Sequence, residues 1–227
     1  MLIYTGHSGG KRAEKCKELG LGFMLHSCPS KMPSPNAKGF PCALDNGTVS
    51  CWQRGFPFQA DVFRTAIKKA YTSGITLDFI VCPDILQAGM KSLEFSLTWL
   101  NADLKTAPRV ALVVQPGMTP ETLDAHPSMI LSTYENITHI FIGGMSEWRF
   151  QTAPEWIEWA HKAGRKAHIG NCGTVEKLIA AERWGADSVD CTTIARHEYW
   201  HRIEQFRNKN QAEMDFESAD ERGEGEI

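Results

Sequence analysis

No stretch of this chain approaches the roughly 18 consecutive apolar residues that a membrane helix needs, so no membrane span is expected. Cysteine lacks the number and grouping of a disulfide framework. There are seven (Cys16, Cys28, Cys42, Cys51, Cys82, Cys172 and Cys191), spread along the chain, and no signal peptide precedes them. The expectation is a reduced, cytoplasmic protein. A strong overall charge is also missing, the formal net charge being −3. That small value hides an asymmetry: residues 211 to 227 hold seven acids against one base, Arg222, leaving 20 acids and 23 Lys plus Arg in residues 1 to 210. The body is mildly basic, which neither requires nor excludes a nucleic-acid partner. The segment 209–227 reads as an acidic, disordered tail.

What is present is enough apolar sequence for one substantial core: 227 residues, 42% hydrophobic. Strand-like segments recur at Leu2-Ile3-Tyr4, Gly22 to His26, Pro41 to Asp45, Leu77 to Cys82, Arg109 to Gln115, Thr138 to Ile142, Lys166 to Ile169 and Asp187 to Asp190. The run from Arg109 is almost unbroken in its apolar residues, as expected of a strand covered on both faces. Between the strands lie helical patterns, including Phe58 to Ser73, Leu86 to Leu100, Pro120 to Leu131, Pro154 to Ala163 and Thr174 to Trp184. A last helix is read at about Ala195 to Phe206, and a proline-rich loop at about 29–41. Eight strands alternating with helical or loop segments predict an α/β fold of the (β/α)8 TIM-type barrel, in one domain over 1–208. A doubly wound open sheet is the structural alternative.

In a barrel, every strand's C-terminal end faces one mouth, where active sites of this fold are built. Those ends carry Asp45, Asp84, Gln115, Gly143-Gly144, Gly170-Asn171 and Asp190. A lone carboxylate there often just caps the next helix. Three carboxylates with an amide at one mouth have the composition of a site. Paired carboxylates suit displacement at an anomeric carbon, one attacking or stabilising the carbon and one moving a proton. A further Asp and a Gln suit recognition of a donor-rich heterocycle, and paired glycines let backbone amides approach a carbonyl oxygen. From the residues alone, a purine and a sugar remain equally open.

Asp187-Ser188-Val189-Asp190-Cys191, which follows Gly173-Thr174 and a helix, resembles the nucleophile segment of the tRNA-guanine transglycosylase superfamily. The likeness is greatest to the compact phage members that put 7-deazaguanines into DNA. Leu44-Asp45-Asn46-Gly47, Cys82-Pro83-Asp84, Val114-Gln115-Pro116-Gly117 and Ile142-Gly143-Gly144-Met145 resemble further family motifs in order and spacing, over about residues 40 to 196. The resemblance implies Asp190 as nucleophile and Asp45 as general acid/base. It implies substrate binding by Asp84, Gln115, Gly143, Gly144 and Met145, and a phosphate contact by Arg196. It further implies exchange of guanine in DNA, ahead of tRNA, for a free 7-deazaguanine base such as 7-cyano-7-deazaguanine, in the host cytoplasm if the chain is phage-encoded.

The sequence departs from the tRNA enzymes where they hold structural zinc: no cysteine follows Cys191. The expected barrel is therefore compact, without a zinc-binding subdomain, and with neither metal nor cofactor. His197 and His201 sit four apart, and His26, Cys28, Cys42 and Cys51 gather near the proline-rich loop, but ordinary roles suit both groups better. Trp156 and Trp159 read as core, while Trp52 and Phe56 are candidates for base stacking. A homodimer or a partner enzyme stays open. Two alternatives accompany the leading expectation: a nucleoside or glycoside hydrolase on the same barrel, and a non-catalytic barrel that binds nucleic acid or a partner.

Overall fold

The eight expected strands form a closed parallel barrel in the order β1 to β8 in a computed structural model that describes residues 1–209. The strands are β1 Leu2–Gly6, β2 Gly22–Leu25, β3 Cys42–Leu44, β4 Leu77–Val81, β5 Val110–Val114, β6 Ile137–Ile142, β7 Lys166–Ile169 and β8 Ser188–Asp190. Closure comes from β1 pairing with β8, Tyr4 opposite Asp190. The (β/α)8 expectation holds and the open sheet is excluded. The segment expected to be a disordered tail falls, from residue 210 on, outside the described residues.

Side-chain alternation divides the barrel into two apolar layers. Alternate residues such as Tyr4, Met24, Ala43, Phe79 and Val113 fill the interior. Their strand neighbours, including Ile3, Phe23, Leu44, Ile80 and Leu112, pack outward against the helices. The helices are α1 Lys11–Glu18, α2 Thr48–Gln53, α3 Ala60–Thr72, α4 Met90–Asn101, α5 Pro120–Asp124, α6 Ile130–Thr133, α7 Ser146–Lys162, α8 Val175–Arg183 and α9 Thr192–His197. Residues 200–209 are also helical.

Helix boundaries differ from the sequence reading most clearly in four places. Thr48–Gln53 is helical although its sequence reads as loop. Pro120 to Leu131 is two short helices, the first opened by a capping box between Thr119 and Thr122. The terminal helix breaks at Glu198, which is left-handed (φ 57°). The largest difference is α7, which starts at Ser146 and carries Pro154 within it. Proline reads as a first-turn residue, but here tertiary packing overrides that signal. Arg149, Ala153, Trp156, Ile157 and Ala160 form one buried stripe against the sheet, while Pro154 lies on the exposed side. Trp156 and Trp159 are core, as expected, with Trp159 Nε1 donating to Asp124 Oδ1 at 2.9 Å.

Candidate functional site

Asp190 is the last residue of β8, and its backbone is fixed on both sides. Its carbonyl accepts from Cys172 N at 2.7 Å, and the next amide, Cys191 N, donates to Tyr4 O at 2.8 Å. Its carboxylate is nearly as constrained: Oδ2 accepts from Asn171 N at 3.1 Å and lies 3.4 Å from His168 Nε2. Asn171 turns its amide that way by adopting a left-handed conformation (φ 56°), which asparagine tolerates better than most residues. His168 is fully buried and stacks on Phe141 at 4.6 Å. Its Nδ1 lies 2.8 Å from Ser188 Oγ. If Ser188 donates to Nδ1, the proton sits on Nε2 and can be given to Asp190. The role of His168 was not read from the sequence. The available signal was period-2 alternation in β7, which turns it to the same side as the mouth carboxylates.

Asp45 follows β3 and is only partly exposed. Burial raises its pKa from 3.8 to about 7, with the negative charges of Asp190 and then Asp84 adding to the effect. The Gly47 and Asn46 backbone amides act in the opposite direction. Asp45 and Asp190 are thus electrostatically coupled across the mouth, and two carboxylates so placed resist ionising together. Gly47 keeps this turn tight: it is left-handed (φ 83°), and a Cβ there would stand 2.6 Å from Ser27 Oγ.

Asp84, just past β4, is the centre of a buried polar network. Asn46 Nδ2 donates to its Oδ1 at 2.7 Å, and Gln115 Nε2 makes a short hydrogen bond to its Oδ2. Burial raises the Asp84 pKa to about 6, against the lowering effect of hydrogen bonds from Asn46, Thr48 and Gln115. Gln115 is fully buried, and its carbonyl oxygen accepts from Gln87 N at 2.6 Å. Both ends of its amide are therefore occupied within the protein, and its immediate effect is to orient Asp84. Asn46 completes the network by also donating to Cys82 O at 2.8 Å. Sequence reasoning passed over Asn46 because it stands between two more conspicuous residues, Asp45 and Gly47.

The paired glycines divide their work. The Gly143 amide is committed to Val114 O at 3.0 Å, so this residue offers room and no free donor. A Cβ on Gly143 would meet Val113 Cγ1 at 3.0 Å, which accounts for the glycine. Gly144 is left-handed (φ 73°), and its amide has no partner among the described residues. Met145 is 59% exposed beside it. Arg196 lies in the last turn of α9 with its side chain exposed. Trp52 and Phe56, in and just after α2, are 63% and 56% exposed on the segment that follows Asp45.

Four buried side-chain polar atoms lack a hydrogen-bond partner among the described residues: His7 Nε2, Ser27 Oγ, Arg149 Nε and Arg165 Nε. His7 and Ser27 follow the C-terminal ends of β1 and β2, and Arg149 is on the helix that follows β6. No three His, Cys, Asp or Glu side chains converge in a metal-binding group among the described residues, and no helix there is long and apolar enough to cross a membrane. The mouth thus combines two coupled carboxylates in different settings, a buried acceptor network and unused donors. No family model matches the chain, and no curated protein matches it.

Proposed function

We propose that the protein is a base-exchange transglycosylase that replaces guanine in DNA with a 7-deazaguanine through a glycosyl-aspartate. The observation that carries this reading is the unequal pair Asp190 and Asp45. Asp190 is a carboxylate held rigid by an amide and an imidazole, as a nucleophile should be. Asp45 has its pKa raised to about 7, so both its protonated and ionised forms are populated near neutrality.

The target deoxyguanosine is flipped into the mouth, with Trp52 and Phe56 available to stack on it or its neighbour. Asp190 attacks the anomeric carbon, the bond to N9 breaks, and departing guanine takes the Asp45 proton. An incoming 7-deazaguanine gives its N9 proton to Asp45 and attacks the same carbon. The bond to Asp190 breaks, and Asp45 is again protonated. The cycle balances in protons and electrons without ATP or a redox partner. Asp84, oriented by Gln115 and Asn46, accepts N–H bonds from the base edge, and the Gly144 amide donates to its carbonyl oxygen. The preference for DNA over tRNA rests on the resemblance to compact members of the superfamily. Zinc has no role in this scheme.

The direct test is incorporation of labelled guanine into DNA and tRNA by purified protein, with mass spectrometry of nucleosides from cells that express it. Exchange into DNA, and a 7-deazaguanosine in that DNA, is the expected result. Release of free guanine without incorporation would convert the reading to a hydrolase. Binding without turnover or a trapped adduct would convert it to a non-catalytic barrel.

A further inference from the structure

Arg149 is a buried cation at the mouth, 6% exposed, whose guanidinium makes neither a hydrogen bond nor an ion pair among the described residues. A cation buried without a partner is costly, and proteins rarely retain one without a use. Its location is specific. A Cβ placed on Gly170, the residue after β7, would stand 3.3 Å from Arg149 Nη1 and 3.0 Å from Phe141 Cε1. Phe141 packs against the barrel interior, so the guanidinium reaches the inner side of the mouth where Gly170 leaves room for it. Its electrostatic neighbours include Asp190 and Cys172.

We infer that Arg149 is a specificity-determining residue that binds an anionic oxygen substituent, a carboxylate in the first instance, on the incoming planar base. This rests on the base-exchange reading above. Guanidinium geometry matches a carboxylate through paired N–H donors. Depth separates this from a backbone phosphate contact, because a flipped nucleotide puts its base deepest and leaves its phosphates at the rim. A cationic substituent meets the opposite situation: it would be set against a guanidinium that forms no ion pair, and it is disfavoured.

The test is calorimetric binding of 7-carboxy-, 7-cyano- and 7-aminomethyl-7-deazaguanine to the full chain and to its Arg149→Met and Arg149→Lys variants. The wild type should bind the carboxylate at least about tenfold more tightly than the amine, the scale of one charge-assisted contact. Arg149→Met should remove or reverse that preference, and Arg149→Lys should keep part of it. The preference is a ratio within each folded sample, so a loss of folded protein in one variant cancels. Arg149→Met should also melt no lower than the wild type, because an apolar chain replaces a buried unpaired charge; a structural arginine would behave oppositely. Equal binding of the three bases by the wild type, or an unchanged preference in Arg149→Met, overturns the inference and leaves the base-exchange reading standing. Weakened binding of a guanine-free oligodeoxynucleotide by Arg149→Met, with base preference intact, assigns the residue to phosphate and also overturns it. Binding of none of the three bases by the wild type removes the base-exchange reading and this inference together.

Discussion

At the bottom of the barrel Asp78 accepts the Tyr4 hydroxyl at 2.8 Å, and Asp187 accepts Ala167 N at 2.8 Å and pairs with His161 at 2.9 Å. Arg109 donates to Leu77 O at 2.7 Å. At the mouth, by contrast, Asp45 is pushed towards protonation by burial and by two other carboxylates, and the Arg149 guanidinium makes no hydrogen bond or ion pair among the described residues, with Asp190 only an electrostatic neighbour. The bottom also has a half-open pocket of about 370 Å³ lined in part by Tyr4, Asp78, Arg109 and His139, so the presence of a pocket does not mark out the mouth. Satisfaction does. Charges at the bottom are largely spent on holding strands and loops together, with Arg165 Nε as an exception. Those at the mouth are shifted by burial and by one another, and some of its polar atoms go without partners among the described residues.

The sharpest way to break this comparison is to remove one carboxylate from each end. Asp190→Asn should lower exchange by about 10³-fold or more while leaving the melting temperature nearly unchanged. Asp187→Ala should cost about 1–3 kcal/mol of stability, because it strands a buried amide, and should leave exchange per folded molecule intact. Thermal melts and turnover measured on the same samples check both.

Asp45→Asn is next, with an expected loss of about 10²–10⁴-fold and disappearance of the pH-rate limb near 7. Its stability effect has a defined sign. The folded-state pKa is raised from 3.8 to about 7, so between those values the folded protein binds more protons than the unfolded chain. Stability at this site is therefore full below about pH 4 and falls as pH rises through 7. Asp45→Asn should be more stable than the wild type at pH 8, and the advantage should vanish at pH 4. Asp84, raised to about 6, contributes a slope of the same sign. Denaturant titrations at the two pH values would expose the wrong sign.

Smaller effects sharpen the contrast further. Tyr4→Phe should cost about 1–2 kcal/mol by removing the partner of a partly buried Asp78, with exchange unaffected. Arg196→Ala should leave both stability and the chemical step alone. If its exposed side chain meets phosphate, the salt dependence of DNA binding should flatten by about one counterion, read from a salt titration.

The barrel was legible because its signals are redundant: eight short apolar runs, most of them ending at a carboxylate, an amide or a glycine, leave few alternatives. The site was legible at the strand ends for the same reason, with Asp45, Asp84, Gln115 and Asp190 all following their strands into one mouth. What escaped was everything that depends on relative rotation of elements. His168 reads as one polar residue within an apolar strand until the pairing of β7 with β8 sets it beside Asp190. Arg149 was hidden by Pro154, whose usual place at a helix start moved the predicted helix eight residues away from its true beginning. Gly143 and Gly144 look equivalent in sequence, and only the ladder bond to Val114 separates a spacer from a donor.

Barrel closure has a consequence for timing. Asp190 is aligned by Tyr4, a residue 186 positions earlier, through pairing of the first strand with the last. The Asp190 carboxylate therefore has its observed setting only once the first and last strands meet. Partial chains emerging during synthesis would carry Asp45 and Asp84 without their counterpart. Under the base-exchange reading proposed above, the nucleophile would gain its setting only when the barrel closes.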